Sequence, residues 1–171
     1  MNNIILIGMP GAGKSTVGVL LAKVLGMNFI DSDLLIQEQE KKLLKDIIAE
    51  EGLEGYLKVE NRVNKEMIAE HSVIATGGSV VYCPEAMEHL DRIGTIIYIR
   101  LEFDTIEARL GNIRQRGVVV KSGQNLRSLY EERCPLYEKY AHMTVDGEGL
   151  SLEEVLDAIT TLIRQKQSGA Y

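Results

Sequence analysis

The stretch from Gly8 to Thr16 reads Gly-Met-Pro-Gly-Ala-Gly-Lys-Ser-Thr, and it decides the fold. It matches the pattern G-x-x-x-x-G-K-[ST] at every fixed position. A short β-branched run, Asn3–Ile7, precedes it, and Lys14–Leu25, with apolar residues every three or four positions, follows it. Glycines let the backbone curl so that several N–H groups point at one centre, where the helix start adds its positive dipole end. The sequence therefore predicts a strand, a phosphate-binding loop and a helix.

The loop also predicts a set of nucleotide and metal contacts. The residues expected to bind the nucleotide are Gly11, Ala12, Gly13, Lys14, Ser15 and Thr16. Lys14 can reach the β- and γ-phosphates and act in catalysis, and the Ser15 hydroxyl can ligate Mg²⁺. We therefore expect a nucleotide and Mg²⁺ as cofactors.

Length and composition limit the class of protein. The 171 residues predict a single domain, 1–171, since one hydrophobic core is typically built from about 100–200 residues. The formal net charge of −6 does not suit a duplex nucleic-acid binder, which needs a cationic face. Cys83 and Cys134 form neither a disulfide framework nor a zinc site. No apolar run approaches the roughly 20 residues that span a bilayer. We expect a cytoplasmic monomer without nucleic-acid or membrane partners.

Short apolar runs alternate with helical patterns along the chain. Strands are predicted at Asn3–Ile7, Asn28–Asp31, Ser72–Thr76, Thr95–Leu101 and Met143–Asp146. Helices are predicted at Lys14–Leu25, Ser32–Glu70 (two or three, broken near Gly52 and Gly55), Pro84–Arg92, Asp104–Asn112, Asn125–Tyr140 (with a kink or break at Pro135) and Leu152–Arg164, with a frayed tail at Gln165–Tyr171. This alternation implies an α/β fold of three layers, α/β/α, around a mainly parallel sheet.

Two carboxylates follow the second predicted strand, in the sequence Asp31-Ser32-Asp33. The carboxyl ends of parallel strands face the ligand crevice, so both carboxylates should face the phosphates. One can hold Mg²⁺ through water while the other accepts the proton of an attacking hydroxyl. The alternative is that Ser32 or Asp33 only caps the next helix.

The turn Thr76-Gly77-Gly78-Ser79 lies at the end of the third predicted strand, on the same side of the sheet. Glycines there let backbone N–H groups approach a substrate closely. The alternative is a plain turn without a ligand.

Positive charge is concentrated between residues 109 and 139, which carry +4 while the rest of the chain carries −10. The cations are Arg109, Arg114, Arg116, Lys121, Arg127, Arg133 and Lys139. An arginine on a closing loop can stabilise charge on a transferring phosphoryl group. We interpret Arg116 and Arg133 as functional, and Arg127 and Lys139 as part of a solvated helix face.

These features indicate a small kinase of the P-loop class, with one acceptor pocket and one closing lid. A GTP-binding switch would need Asn-Lys-x-Asp, but Asn64-Lys65 is followed by Glu66-Met67 inside a predicted helix. We expect acceptor-binding helices over residues 33–71 and a lid over residues 112–124.

The chain resembles the shikimate kinase family over nearly its full length. The matching features are Gly8–Thr16, Asp31-x-Asp33, Ala75-Thr76-Gly77-Gly78 and Glu132-Arg133-x-Pro135-Leu136-Tyr137. The resemblance implies a P-loop kinase fold with five parallel strands in the order 2-3-1-4-5. It also implies ATP- and Mg²⁺-dependent phosphorylation of shikimate to shikimate 3-phosphate, a step of aromatic amino acid biosynthesis.

The resemblance assigns roles on the acceptor side of the site. Asp31 would help to hold Mg²⁺, and Asp33 would bind and deprotonate the substrate hydroxyl. Gly77 and Gly78 would line the acceptor pocket, with Ser79 where the family has a third glycine. Arg133 would pair with the substrate carboxylate.

It also assigns roles on the nucleotide side. Arg116 would be the lid arginine that meets the transferring phosphate, although Arg116-Gly117-Val118 stands where the family has Arg-Pro-Leu. Arg109 would stack on the adenine.

The largest departure is at Leu57, where the family's Phe-Arg-x-x-Glu motif has its arginine. The segment here is Tyr56-Leu57-Lys58-Val59-Glu60, so the glutamate is kept. A leucine cannot form a bidentate pair with a carboxylate. The loss of one such contact would cost on the order of 2–5 kcal/mol.

Three readings stay open at this point. The first is a shikimate kinase in which Arg133, with Lys58 or Arg62, binds the carboxylate. The second is a kinase of another small hydroxy compound, which Glu60 without its arginine could make an amine-bearing one. The third is a nucleotide-binding regulator, against which the intact residues Lys14, Ser15, Asp33 and Arg116 argue.

Overall fold

Five short parallel strands form the centre of the described part of the chain, which is residues 3–111 and 120–169 of a computed structural model. They are β1 (Asn3–Ile7), β2 (Asn28–Asp31), β3 (Ser72–Ala75), β4 (Gly94–Arg100) and β5 (Met143–Asp146). Their order across the sheet is β2-β3-β1-β4-β5, which confirms the expected order. The middle strand pairs on both sides, with Ile5 opposite Ile74 of β3 and Ile96 of β4.

Helices cover both faces of this sheet. The described helices are α1 (Lys14–Leu25), α2 (Ser32–Glu40), α3 (Leu44–Lys65), α4 (Pro84–Ile93), α5 (Phe103–Leu110), α6 (Leu126–Tyr140) and α7 (Leu152–Gln167), with a short 3₁₀ turn at Val80–Tyr82. One apolar core lies between the sheet and α1 and α7, and a second lies between the sheet and α4, α5 and α6. A third, smaller core joins α2 to α3. The three-layer α/β/α prediction is confirmed.

The apolar run of β1 explains why it occupies the middle of the sheet. Successive side chains of a strand point to opposite faces, so Ile4 and Leu6 enter one core while Ile5 and Ile7 enter the other. All four are fully buried. A strand covered on both faces needs such a continuous apolar run rather than an alternating one.

Several predicted element boundaries need correction. Gly52 breaks the helical geometry inside α3 (φ 69°, ψ −175°), whereas the chain stays helical at Gly55. The predicted helix end near Glu70 is too late, since α3 ends at Lys65. The predicted break at Pro135 does not occur, since α6 runs unbroken from Leu126 to Tyr140, with Leu129 and Tyr137 on either side of the proline buried in the core.

The last helix is longer than its sequence pattern predicts. Ser151 and Glu154 form a capping box at its start, with side chains that bond each other's backbone N–H groups. Helix α7 then continues to Gln167 instead of ending at Arg164. The Lys166 ammonium donates a hydrogen bond to Thr95 Oγ1 (3.0 Å), which ties this end to the sheet. Among the described residues, no helix has the length and apolar composition needed to cross a membrane.

The carboxyl ends of β1, β2 and β3 meet at one edge of the sheet. The phosphate loop follows β1, Asp31 ends β2, and Thr76 follows β3. The parallel arrangement therefore brings three separate sequence motifs to one crevice.

Candidate active site

The phosphate loop requires glycine at positions where no other residue fits. A Cβ at Gly8 would lie 2.7 Å from the Ile99 carbonyl oxygen, and Gly13, which precedes α1, has a left-handed conformation (φ 92°). The loop thus passes close to β4 and turns sharply into the helix. The first N–H groups of α1 then face the crevice, as an anion-binding site requires.

Lys14 lies at the centre of this loop and is 7% exposed. Its ammonium donates hydrogen bonds to the carbonyl oxygens of Gly8 (2.8 Å) and Met9 (2.8 Å). Burial lowers the pKa of Lys14 to about 8, although the nearby carboxylate of Asp33 acts in the opposite direction. A phosphate placed at the loop would add negative charge beside this ammonium and favour its charged form.

Asp31, which is predicted to help to hold Mg²⁺, also caps a helix. Its Oδ1 accepts hydrogen bonds from the backbone N–H groups of Asp33 (3.0 Å) and Leu34 (3.2 Å), so Asp31, and not Ser32 or Asp33, caps α2. Its Oδ2 accepts a hydrogen bond from the Ser15 hydroxyl (2.7 Å). One oxygen therefore orients the side chain while the other faces the phosphate loop.

The paired oxygens of Ser15 and Asp31 fit a Mg²⁺ ion. Hard oxygen ligands of this kind suit Mg²⁺, which is bound through one or two protein groups together with phosphates and water. Within residues 3–111 and 120–169, no group of three or more His, Cys, Asp or Glu side chains could hold a metal ion. An ion at this position would therefore depend on the nucleotide phosphates for further ligands.

Asp33 lies on the other side of the crevice. Its Oδ1 is buried and receives no hydrogen bond from the described residues. Burial, and secondarily the charge of Asp31, raise the pKa of Asp33 to about 6, while Lys14 lowers it. A carboxylate with this environment still ionises below neutral pH and can accept a proton from a hydroxyl.

The turn from Thr76 to Ser79, which we call the acceptor turn, packs directly against these groups. A Cβ at Gly77 would lie 2.6 Å from Asp33 Oδ1 and 2.8 Å from Glu60 Oε1. A Cβ at Gly78 would lie 2.7 Å from Pro10 Cδ and 3.0 Å from an Arg133 nitrogen. Both positions therefore exclude a side chain.

The backbone of the acceptor turn is partly engaged within the protein. The Gly77 N–H donates to Ser32 Oγ (3.3 Å), so it is not directed at a substrate as the sequence pattern suggested. The Gly78 carbonyl accepts a hydrogen bond from the Tyr137 hydroxyl (2.6 Å). These two bonds fix the turn to α2 and α6.

Helix α6 brings Arg133 to the same place. Arg133 is 1% exposed, and the centre of its guanidinium lies 5.3 Å from the centre of the Tyr82 ring. Tyr137, one turn further along, makes the bond to Gly78. Helical spacing thus directs both side chains toward the acceptor turn.

A cavity of about 300 Å³ lies between the phosphate loop and the acceptor turn. The predicted site residues that line it are Gly11, Gly13, Lys14, Ser15, Thr16, Asp33, Gly77, Gly78, Ser79 and Arg133. Pro10, Leu44, Tyr56, Thr76 and Leu110 complete its walls. Tyr56 was not predicted as a site residue, although its spacing to the buried residues Val59 and Val63 could have indicated an inward side chain.

A second cavity, of about 270 Å³, lies on the other side of the phosphate loop. Ala12 and Arg109 line it, together with the apolar side chains of Ile99, Leu101, Val17, Leu150, Leu152 and Val155. The Arg109 guanidinium donates to the Gly11 carbonyl (3.2 Å), which holds it beside the loop. A flat apolar group attached to a phosphate chain would fit here. The sequence predicted a helix from Leu152 but did not indicate that Leu150, Leu152 and Val155 line a cavity beside the phosphate loop.

Leu57 does not line the acceptor cavity. It lies against a small apolar pocket of about 40 Å³ with Leu53, Tyr82 and Leu129. The two cations considered as replacements for an arginine here are also elsewhere: Lys58 is exposed, and Arg62 forms an ion pair with Glu40 of α2. The structure brings neither cation to the cavity.

The predicted lid falls mostly outside the described residues. Arg114 and Arg116 lie in the segment 112–119, which the structure does not describe. At the described end of the lid, the Lys121 ammonium donates to Glu132 Oε1 (3.2 Å). The Tyr82 hydroxyl donates to the same oxygen (2.5 Å). This end of the lid therefore contacts α6 one residue before Arg133.

The cavity is surrounded by a phosphate loop, a buried carboxylate and an arginine, and it lies on a parallel sheet of order 2-3-1-4-5. This combination defines a nucleotide-binding small-molecule kinase that phosphorylates a hydroxyl. The family model for shikimate kinase matches residues 10–164. The chain belongs to the shikimate kinase family.

Curated relatives support this assignment along the whole chain. The shikimate kinase of Persephonella marina is 33% identical over 96% of this chain and 100% of its own length. The shikimate kinase of Thermodesulfovibrio yellowstonii is 36% identical over 93% of both chains. Such coverage extends through both cavities and the intervening helices.

Solved structures show the same similarity. The shikimate kinase from Acinetobacter baumannii in complex with shikimate has a TM-score of 0.87 and 30% identity, covering 97% of this chain and 94% of that chain. The Aquifex aeolicus shikimate kinase has a TM-score of 0.81 and 30% identity, covering 96% and 98%. Of the three readings, these comparisons favour a shikimate kinase over a kinase of another compound or a nucleotide-binding regulator.

Proposed function

We propose that this protein transfers the γ-phosphoryl group of ATP to shikimate, giving ADP and shikimate 3-phosphate. The observation that carries the proposal is the placement of Lys14, Asp33 and Arg133 around one cavity. The relative from Acinetobacter baumannii, which holds shikimate, has the same overall fold. A hydroxyl group, a carboxylate and a phosphoryl group would each have a complementary side chain here.

On the nucleotide side, the loop N–H groups and Lys14 would bind the phosphates. Ser15 and Asp31 would hold Mg²⁺, and a bound Mg²⁺ would neutralise charge on the β- and γ-phosphates. The adenine would occupy the second cavity against Arg109, whose guanidinium is already fixed to Gly11. In this arrangement the γ-phosphate would enter the acceptor cavity.

On the acceptor side, Asp33 would accept the proton of the attacking hydroxyl. Gly77 and Gly78 would let the substrate approach the acceptor turn. Among the described residues that line the cavity, Lys14 and Arg133 are the cations, and Lys14 is held at the phosphates. Arg133 would therefore bind the substrate carboxylate, and Arg116 would close over the transferring phosphate.

The test is ADP release with Mg-ATP across a panel of small alcohols that includes shikimate, with phosphorus NMR of the product. Saturable turnover of shikimate supports the proposal. Turnover of another acceptor without shikimate turnover would identify a kinase of a different compound. ATP binding without turnover of any acceptor would identify a nucleotide-binding regulator.

We also propose that the protein acts as a monomer in the cytoplasm, without nucleic-acid or membrane partners. The acidic net charge of −6 supports the absence of nucleic-acid and membrane partners, since phosphate backbones and anionic membrane surfaces repel it. Light scattering after gel filtration should give a single species near 19.0 kDa. A species of twice that mass would contradict the monomer.

A further inference from the structure

The ring of Tyr82 lies against the guanidinium of Arg133, the buried arginine of the acceptor cavity. The centre of the guanidinium is 5.3 Å from the centre of the ring, which is within the range of a cation–π contact. Arg133 is 1% exposed, and such contacts are strongest where the cation is removed from water. The ring therefore restricts where this long side chain can place its charged group.

Tyr82 itself lies outside the acceptor cavity. It lines the separate apolar pocket of about 40 Å³, together with Leu53, Leu57 and Leu129. The ring thus has apolar side chains and the Arg133 guanidinium as neighbours. Any effect of Tyr82 on a substrate in the cavity must act through Arg133.

The hydroxyl of Tyr82 fixes the orientation of its ring. It donates a hydrogen bond to Glu132 Oε1 (2.5 Å), and the Lys121 ammonium donates to the same oxygen (3.2 Å). The Gln124 amide donates to the other oxygen, Oε2 (3.4 Å). The bond from Tyr82 lowers the pKa of Glu132, so Glu132 is an anion near neutral pH and the bond to it is charge-assisted.

The backbone of Tyr82 is joined to the acceptor turn. Tyr82 ends the 3₁₀ turn Val80–Tyr82, and its N–H donates a hydrogen bond to the Ser79 carbonyl (3.0 Å). The flanking residues Val81 and Cys83 are both buried. The residue is therefore held at two ends, by the acceptor turn at its backbone and by α6 at its hydroxyl.

We propose that Tyr82 is a positioning residue for the acceptor: its ring, held by Glu132 and by the apolar pocket, orients the Arg133 guanidinium before the substrate carboxylate binds. This role rests on the proposed function, in which Arg133 binds that carboxylate. A side chain that is oriented in advance loses less rotamer freedom on binding, so the benefit lies in the affinity for the substrate. Leu57 contributes to the same role, because it forms part of the pocket that packs against Tyr82.

The first test compares Tyr82→Phe with Tyr82→Leu in steady-state kinetics. Leucine removes the ring, and we expect it to raise KM for shikimate by about fivefold or more, because the substrate itself must then order Arg133. Phenylalanine keeps the ring in its pocket, so the rise should be at most about twofold. In both variants kcat and KM for ATP should stay within about twofold, as expected when only binding of the acceptor is weakened.

Tyr140→Leu is the matched control for the loss of a tyrosine that contacts a cation. The Lys139 ammonium lies 5.0 Å from the centre of the Tyr140 ring, and neither residue lines the acceptor cavity. This variant should leave KM for shikimate unchanged. An unchanged KM in Tyr82→Leu, or equal rises in Tyr82→Leu and Tyr82→Phe, would overturn the proposal, because the ring would then have no effect on the acceptor.

The second test detects the contact between Tyr82 and Arg133 without any substrate. Arg133→Met keeps the length of the side chain and removes its charge. Urea unfolding of Tyr82→Leu, Arg133→Met and the double variant gives a double-mutant cycle. We expect the two substitutions to be coupled by at least about threefold in the equilibrium constant of unfolding. Additive effects would contradict the contact and with it the proposal.

The two tests separate this inference from the proposed function. Absence of shikimate turnover in the wild type would count against the proposed function, and the unfolding cycle would still test the contact. Turnover of shikimate with no change of KM in Tyr82→Leu would contradict the positioning role alone.

Discussion

Individual buried side chains set the electrostatics of the acceptor cavity. Burial works against the charges of both Lys14 and Asp33, because it lowers the pKa of the first to about 8 and raises that of the second to about 6. Each group nevertheless favours the charged form of the other. Near neutral pH the cavity therefore holds an ammonium and a carboxylate on opposite sides, as transfer of a phosphoryl group to a hydroxyl requires.

Asp33→Asn tests the proposed base with minimal change in shape. The amide cannot accept the hydroxyl proton, so kcat should fall by at least about 100-fold. The Kd for ATP should stay within about threefold, because the contact proposed for Asp33 is with the acceptor and not with the nucleotide. Coupled assays and calorimetry measure the two quantities. Full turnover by this variant would remove Asp33 from the mechanism.

Arg133→Lys tests the single guanidinium proposed for the substrate carboxylate. Lysine keeps the charge but loses the planar, bidentate geometry. We expect KM for shikimate to rise by about 10-fold or more, with KM for ATP within about threefold. Arg127→Lys, at an exposed position of the same helix, is the control. An unchanged KM for shikimate would show that another residue binds the carboxylate.

At the scale of elements, α6 connects Lys121, at the end of the predicted lid, to the acceptor turn. Near the middle of the helix, Glu132 accepts hydrogen bonds from Lys121 and Tyr82. The next residue, Arg133, lines the cavity. One turn later, Tyr137 donates a hydrogen bond to the Gly78 carbonyl. The helix continues through Pro135 without a break, so these contacts share one rigid support. The position of the acceptor turn therefore depends on α6.

Tyr137→Phe removes the hydrogen bond to the Gly78 carbonyl and leaves that oxygen without its donor. A buried acceptor left unsatisfied costs about 1–3 kcal/mol. We expect urea unfolding to show a loss of stability in this range, and KM for shikimate to rise several-fold while KM for ATP is maintained. Tyr140→Phe, near the end of the same helix, is the control. Unchanged stability of Tyr137→Phe would show that this bond does not support the turn.

At the scale of the whole molecule, the parallel sheet gathers charges that are far apart in the sequence. Three segments meet at the edge of the sheet formed by the carboxyl ends of its strands: the loop after β1, Asp31 at the end of β2 and the turn after β3. The net charge of −6 therefore conceals a local concentration of cations at the cavity where we propose that anionic ligands bind. The same edge places Ser15 and Asp31 side by side.

Removal of the metal should reduce the stabilisation of the whole fold by ATP. A ligand at 100 times its Kd stabilises the folded state by about 2.7 kcal/mol. We expect Mg-ATP to raise the Tm by several degrees more than ATP with EDTA, and Asp31→Asn to reduce this difference. Calorimetry or dye-based melting measures the shift. An equal shift with and without Mg²⁺ would contradict the metal site at Ser15 and Asp31.

Much of the fold follows from local patterns in the sequence. The continuous apolar run of β1, the glycines of the phosphate loop and the capping box at Ser151 depend on adjacent residues, so each was predictable. Side-chain contacts that join different elements were not predictable from such local patterns. The bond from Ser79 to Glu60 joins residues 19 positions apart on different elements, and no periodic pattern indicates it.

The sequence by itself determined the phosphate loop, the alternation of strands and helices, and the residue types available for catalysis, because these depend on near neighbours and backbone preferences. Only the tertiary structure decided which cations and carboxyl groups reach the cavity. The packing of α3 against α2 directs Arg62 to Glu40, leaves Lys58 in solvent and turns Glu60 toward Ser79 and Asp33. Those outcomes depend on the orientation of one helix relative to its neighbours, which local sequence does not specify.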